Sequence, residues 1–216
     1  MPGPSRNYAK ELERLIQKLR QEGKVPRLLL HACCAPCSSA VLEYLSQYFA
    51  ITLLYYNPNI APLEEYQKRE AELRRLVSQM KFTHPVELLP CQYDGQAFVQ
   101  AARGLEGEPE GGKRCEACFR LRLRYAAQEA ARLRFDYYTT TLSISPMKNA
   151  PLLNQLGEEI GREFGVAHLP SDFKKKDGYK RSVQLSKEYD LYRQDYCGCA
   201  FSKAQRQREK EEREEV

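Results

Sequence analysis

The chain has 216 residues, 42% of them hydrophobic and 29% charged, with a net charge of +5. This is the composition of a soluble globular protein with enough length for one α/β domain and a full core. Apolar stretches reach about ten residues at most, too short to span a bilayer, and the charged N-terminal "AKELERLIQKLRQ" lacks the continuous apolar region of a signal peptide. The expectation is a cytoplasmic protein with no membrane partner.

In chain order, residues 5–24 are predicted as an amphipathic helix, with Leu12, Leu15, Ile16 and Leu19 at helical spacing. "PRLLLHACC" predicts a strand, "SSAVLEYLSQYF" the helix after it, and "AITLLYYNPNI" a second strand closed by a turn. "APLEEYQKREAELRRLVSQM" reads as a long helix with its Pro in the first turn, and "HPVELLP" as a third strand. The Gly/Pro/Glu loop "GLEGEPEGGKR" leads into the helix "CEACFRLRLRYAAQEAARL". Then come a strand "FDYYTTTLSIS", a helix "LLNQLGEEIGREFG" and a last short strand in "VAHLPSD". An irregular basic and aromatic segment, "YCGC" and a charged tail over 204–216 complete the chain.

Strands alternating with helices imply a parallel sheet covered on both faces, here in one α/β domain over 1–216. Ligands in such sheets sit beyond the carboxyl ends of the strands. "HACCAPC", residues 31–37, occupies that end of the first strand.

The eight cysteines fall into "CCAPC" (Cys33, Cys34, Cys37), "CEAC" (Cys115, Cys118), "CGC" (Cys197, Cys199) and a lone Cys91. In a reducing compartment, clustered thiols more often bind metal or do redox work than form disulfides. Positions three apart share a helix face, so Cys115 and Cys118 can grip one centre; positions two apart share a side of an extended segment, as Cys197 and Cys199 would. Cys33 and Cys34, as neighbours, serve either two adjacent centres or one centre across a sharp turn. Seven thiols exceed the needs of one tetrahedral ion and suit an iron–sulfur cluster with a second metal site beside it. A structural zinc site leaves cysteines spare, and "CAPC" read as a thioredoxin-type dithiol leaves five idle. Cys91 reads as a small buried hydrophobe.

Charge is less specific. The run from Lys203 to Val216 carries five positive and five negative side chains, so the excess sits in the body of the chain. Lys113 to Arg124 holds five basic residues against one Glu, which permits a polyanionic partner. "EGGKRC" lacks the Ser/Thr and the spacing of a P-loop.

"LLLHACCAPCS", "EGGKRCEACFRLRL", "TTTLSISPMKN" and "SDFKKKDGYKRSVQLSKEYDLYRQDYCGC" together resemble the QueH-type epoxyqueuosine reductases, from about Pro26 to Ser202. The resemblance implies a Rossmann-like sheet of the adenine nucleotide α-hydrolase type, followed by an irregular C-terminal segment of metal ligands. It implies a [4Fe-4S] cluster beside a mononuclear metal ion, with iron the first choice and zinc the alternative. It carries over Cys33, Cys34, Cys37, Cys115, Cys118, Cys197 and Cys199 as ligands, without dividing them between cluster and ion. The implied substrate is epoxyqueuosine at the wobble position of a tRNA anticodon, and the implied reaction is its reduction to queuosine. A separate electron donor is required, because no flavin or nicotinamide motif is visible.

Turning an epoxide into an alkene takes two electrons and releases the oxygen as water, so a redox cofactor and a nearby acid are both needed. The candidate acid is Asp172, just past the last predicted strand; the competing reading is a turn cap. Substrate binding is expected from Lys148 in "SPMKN" and from Lys174, Lys175, Tyr179, Arg181 and Arg193, with Lys176 and Lys180 in the same run. These basic groups are interleaved with Phe173, Tyr189, Tyr192 and Tyr196, a pattern that suits phosphates and stacked bases. Tyr189, Tyr192 and Tyr196 also fall at helical spacing, the pattern of core packing. His31 reads as a satisfied strand-end histidine. Two other readings compete: an ATP-using tRNA sulfur transferase of the same superfamily, and a non-enzymatic zinc-stabilised RNA-binding module. The first needs a glycine-rich pyrophosphate loop where this chain has "CCAPCSS".

Overall fold

The computed structural model describes residues 6–214. Five strands, β1 (Arg27–His31), β2 (Ala50–Leu54), β3 (Val86–Leu89), β4 (Tyr137–Thr140) and β5 (Ala167–His168), form one parallel sheet in the order β3-β2-β1-β4-β5. The order reverses beside β1, which puts the crevice of a doubly wound sheet at its carboxyl end. The α/β, Rossmann-like expectation is met.

Central β1 shows why both faces are covered. Leu28, Leu29 and Leu30 are wholly buried, but alternate side chains point to opposite sides. Leu28 and Leu30 pack with Leu12 and Ile16 of α1 (Tyr8–Gln21), Leu42 and Leu45 of α2 (Ala35–Leu45), Leu73 and Leu76 of α3 (Leu63–Gln79) and Leu185 of α7 (Gly178–Glu188). Leu29 packs with Phe119 and Leu123 of α5 (Lys113–Arg132) and with Leu153 and Ile160 of α6 (Ala150–Phe164). On α6, a Cβ at Gly157 would lie 2.3 Å from the His168 ring, so only glycine lets the helix approach β5.

Several boundaries differ from expectation. The first helix starts at Tyr8, capped by the Asn7 side chain; Ser5 lies outside the described residues, as do the last two of the tail. The β4 strand stops at Thr140, whose hydroxyl accepts from the Leu142 N–H and turns Thr141–Ile144 into a 3-10 helix. A short helix, α4 (Gly95–Ala102), starts at the side-chain cap of Asp94. The charged tail belongs to α8 (Ala200–Glu214), held by pairs such as Gln205–Glu209 and Arg206–Glu209. α7 ends at Glu188, so Tyr189, Tyr192 and Tyr196 do not form a helical stripe. Instead the Tyr192 hydroxyl donates to Glu65, and its ring lies under Lys68.

Candidate metal centre

Beyond the end of β1 the chain turns sharply. Cys34 is extended (φ −172°) and α2 begins at the next residue, with Pro36 in its first turn. The turn brings Cys33 and Cys34 to one centre: their sulfurs are 3.9 Å apart, and the Cys33, Cys34 and Cys37 sulfurs all lie within 4.8 Å of one another. These three thiols are placed to hold a metal ion. The Cys33 amide donates to Thr141 Oγ1 at 3.1 Å, and that hydroxyl donates to the Cys33 sulfur at 3.3 Å. Hydrogen bonds from Cys34 and Cys37, with the charge of Arg122, hold Cys33 well below the usual thiol range. Donating to the Cys33 sulfur, together with burial, pushes Cys34 and Cys37 up.

The other four thiols meet nearby. Cys115 and Cys118 lie in the first turns of α5, and Cys197 and Cys199 precede α8. All four line one small cavity with Phe98, Phe119 and Ser202. Burial pushes Cys118 up to about 12. Between Cys197 and Cys199 the chain passes through Gly198 at φ 116°, in the left-handed region. A Cβ there would lie 2.9 Å from Ile60 Cγ1 and 3.0 Å from Arg69 Nη1, so the turn also depends on close approach.

Cys197 also lines a larger cavity of about 390 Å³, whose wall holds Cys33, Cys34 and Cys37. The two thiol groups are thus neighbours that share Cys197. All eight cysteines are free of disulfides. Cys91 lies apart, 3.7 Å from the Tyr125 hydroxyl.

The family described as epoxyqueuosine reductase QueH matches residues 28–205. The chain belongs to that family. Curated QueH relatives include one from Streptococcus pyogenes serotype M1, 42% identical over 93% of this chain and 80% of its own length. One from Staphylococcus epidermidis is 42% identical over 91% and 84%, and one from Thermotoga maritima 35% identical over 83% and 91%. Each bears the name epoxyqueuosine reductase QueH. The QueH match takes in all seven clustered cysteines; α1 and the charged end of α8 lie outside it.

Lys174 lines neither cavity; the remaining expected site residues divide between two. Lys148, Tyr179 and Arg193 line the large cavity with the cysteines. The Lys148 side chain is only 7% exposed and lies 3.0 Å from Glu110. Burial works against its charge, but Cys197 and Glu110 hold its pKa above the usual lysine range. Asp172, Lys175 and Arg181 line a second cavity of about 240 Å³, between α1, α2 and α7, which contains no cysteine. Asp172 pairs with Lys174 at 2.9 Å, and Arg181 is held by Glu43 and Glu188. Lys176 pairs with Glu13. His31 accepts from Thr140 through Nδ1 and donates to the Tyr56 carbonyl through Nε2; burial, then Arg122, push its pKa down to about 3.

Four of the five basic residues in the α5 run are buried or paired. Arg114 and Arg122 are buried, and Arg120 and Arg124 pair with Glu159 and Glu163 of α6. Arg122, Glu110, Asn57 and Ser202 were missed by sequence reasoning. Only Arg122 carried a signal: one helical turn beyond Cys118, it falls on the same face of α5. Among the described residues, no helix is long and apolar enough to cross a membrane.

Proposed function

We propose that this chain reduces the epoxide of epoxyqueuosine, at the wobble position of a tRNA anticodon, to the alkene of queuosine. The observation that carries the reading is seven thiols in two adjoining cavities, in a chain of the QueH family.

The donor set fits the implied metals. Two thiolates on a tetrahedral ion with bonds of about 2.3 Å sit roughly 3.8 Å apart, and the Cys33 and Cys34 sulfurs are separated by 3.9 Å. In this reading Cys33, Cys34 and Cys37 hold the mononuclear ion, iron before zinc. Cys115, Cys118, Cys197 and Cys199 hold a [4Fe-4S] cluster, which takes four thiolates. When bound, such a centre supplies single electrons and a Lewis-acid site, which side chains do not.

The chain's own residues do the rest. The large cavity receives a base whose extraction costs little, because an anticodon loop is already unpaired. Tyr179, 40% exposed, offers a ring to stack on, and Arg193 and Arg206 offer charge to the phosphates. Lys148 faces the cavity as an ammonium and serves as the proton donor to the departing oxygen, with Glu110 keeping it protonated. Asp172, expected from sequence in that role, lines the other cavity. Electrons come from a separate donor.

The test is direct. Protein reconstituted without oxygen with iron and sulfide, and given a strong reductant, should convert epoxyqueuosine in tRNA to queuosine. Epoxide left untouched by protein with a full complement of iron overturns the reading.

A further inference from the structure

Arg122 is wholly buried, and among the described residues no carboxylate pairs with it. A guanidinium has five N–H donors and does not give up its charge. Its acceptors here are few. Nη2 donates to Asn57 Oδ1 at 2.5 Å, and the orientation of that amide is set by its own donation to the Ala32 carbonyl at 2.8 Å. Nε lies 3.4 Å from His31 Nε2, but that nitrogen spends its proton on the Tyr56 carbonyl and has no lone pair to offer. Sulfur remains. Nη1 is 3.9 Å from Cys118 Sγ, and Arg122 also lines the cavity that holds Cys33, Cys34 and Cys37. The neighbouring buried arginines are answered by oxygen: Arg69 by Glu65, and Arg114 by the carbonyls of Leu105, Glu106 and Glu108.

We propose that Arg122 is the fixed counter-charge of the thiolate-bound centre, set between the two cysteine groups and favouring its reduced state. This rests on the reading above that those thiols hold a redox-active iron–sulfur centre. A thiolate-ligated centre gains one negative charge on each one-electron reduction, and a buried cation beside it favours the more negative state. Arg122 is therefore a positioning and electrostatic residue, with no contact to substrate required.

The experiment uses the full chain as wild type, Arg122→Met, Arg122→Lys and Asn57→Asp, each reconstituted without oxygen with iron and sulfide. Iron per chain, far-UV circular dichroism and a reductive titration of the visible absorbance are read for each. Arg122→Met should shift the midpoint to more negative potential, and Arg122→Lys, which keeps the charge, should shift it less. Asn57→Asp sets a carboxylate against the guanidinium without touching a cysteine and should shift the midpoint in the same direction as Arg122→Met. Wild-type midpoints in Arg122→Met and Asn57→Asp overturn the proposal; if Arg122→Met does not fold, Asn57→Asp decides on the same criterion. Turnover of epoxyqueuosine in tRNA is scored separately on the wild type. A centre whose potential depends on Arg122 but which leaves the epoxide intact defeats the reductase reading alone. Turnover with a potential indifferent to residues 57 and 122 defeats this inference alone.

Discussion

Lys148 Nζ lies 3.0 Å from one oxygen of Glu110, and the other oxygen accepts from the Ser202 hydroxyl at 2.9 Å. The Cys197 amide in turn donates to Ser202 Oγ at 3.1 Å. One carboxylate in the glycine-rich loop therefore ties the cavity lysine to the segment that carries Cys197. Glu110→Ala leaves Lys148 buried without its partner. A loss of about 2–3 kcal/mol is expected, at or below the low end for a broken buried pair because Glu110 keeps some solvent contact. Adding Lys148→Met should recover part of it, and urea unfolding of the wild type, the two single variants and the double variant measures the coupling.

Lys148 and Asp172 are rival proton donors, and they face different cavities. Lys148→Ala is expected to lower the rate of queuosine formation by on the order of 10²-fold, the usual range for a general acid. Asp172→Asn should cost far less. Single-turnover assays on both variants check this, and a larger loss from Asp172→Asn returns the role to that residue.

Thiol variants should sort by cavity. Cys115→Ser or Cys118→Ser is expected to remove cluster iron and turnover together, whereas Cys91→Ser, outside both cavities, keeps both. Iron and sulfide analysis of oxygen-free protein reads the difference.

Acid should destabilise the fold through two histidines, buried His31 and half-buried His168. Desolvation holds His31 and His168 at about 3, and both ring nitrogens of His168 are shut off from water with no partner among the described residues. The unfolded chain binds protons near the ordinary value of about 6.5. Between that value and 3 it takes up protons that the folded state refuses, so stability falls as pH drops. Each histidine contributes a slope of about 1.4 kcal/mol per pH unit below 6.5. His168→Leu should remove roughly half of that dependence in urea unfolding between pH 7 and 5.

The mouth of the large cavity should govern RNA affinity. Arg193→Ala is expected to weaken tRNA binding and to lower the slope of log affinity against log salt by about 0.7 for each single-strand phosphate that the arginine had neutralised. Tyr179→Ala should weaken binding with little change in that slope, since stacking is not a charge interaction. A salt series on each variant separates the two effects.

The parallel sheet, its helices and the clustered thiols are legible in the sequence, because hydrophobic period and residue chemistry are local properties. "RLLLH" is a buried strand wherever it sits, and three cysteines in five residues can meet over a few ångströms of backbone. The tail of α8 carries no helical signal in its hydrophobic pattern, since it has little apolar face and is stabilised by charge pairs. Tyr189, Tyr192 and Tyr196 were misleading because helical spacing says nothing of where a helix stops.

By itself, the sequence determined that seven thiols were available at the edge of an α/β sheet. Only the tertiary structure decided which of them share a cavity, that Asp172 and Arg181 face elsewhere, and that Arg122 is a core cation rather than a surface one. The physical reason is distance along the chain. Asn57, Cys118, Arg122 and Cys197 acquire their environments from segments scores of residues apart, and burial and charge compensation exist only once those segments pack.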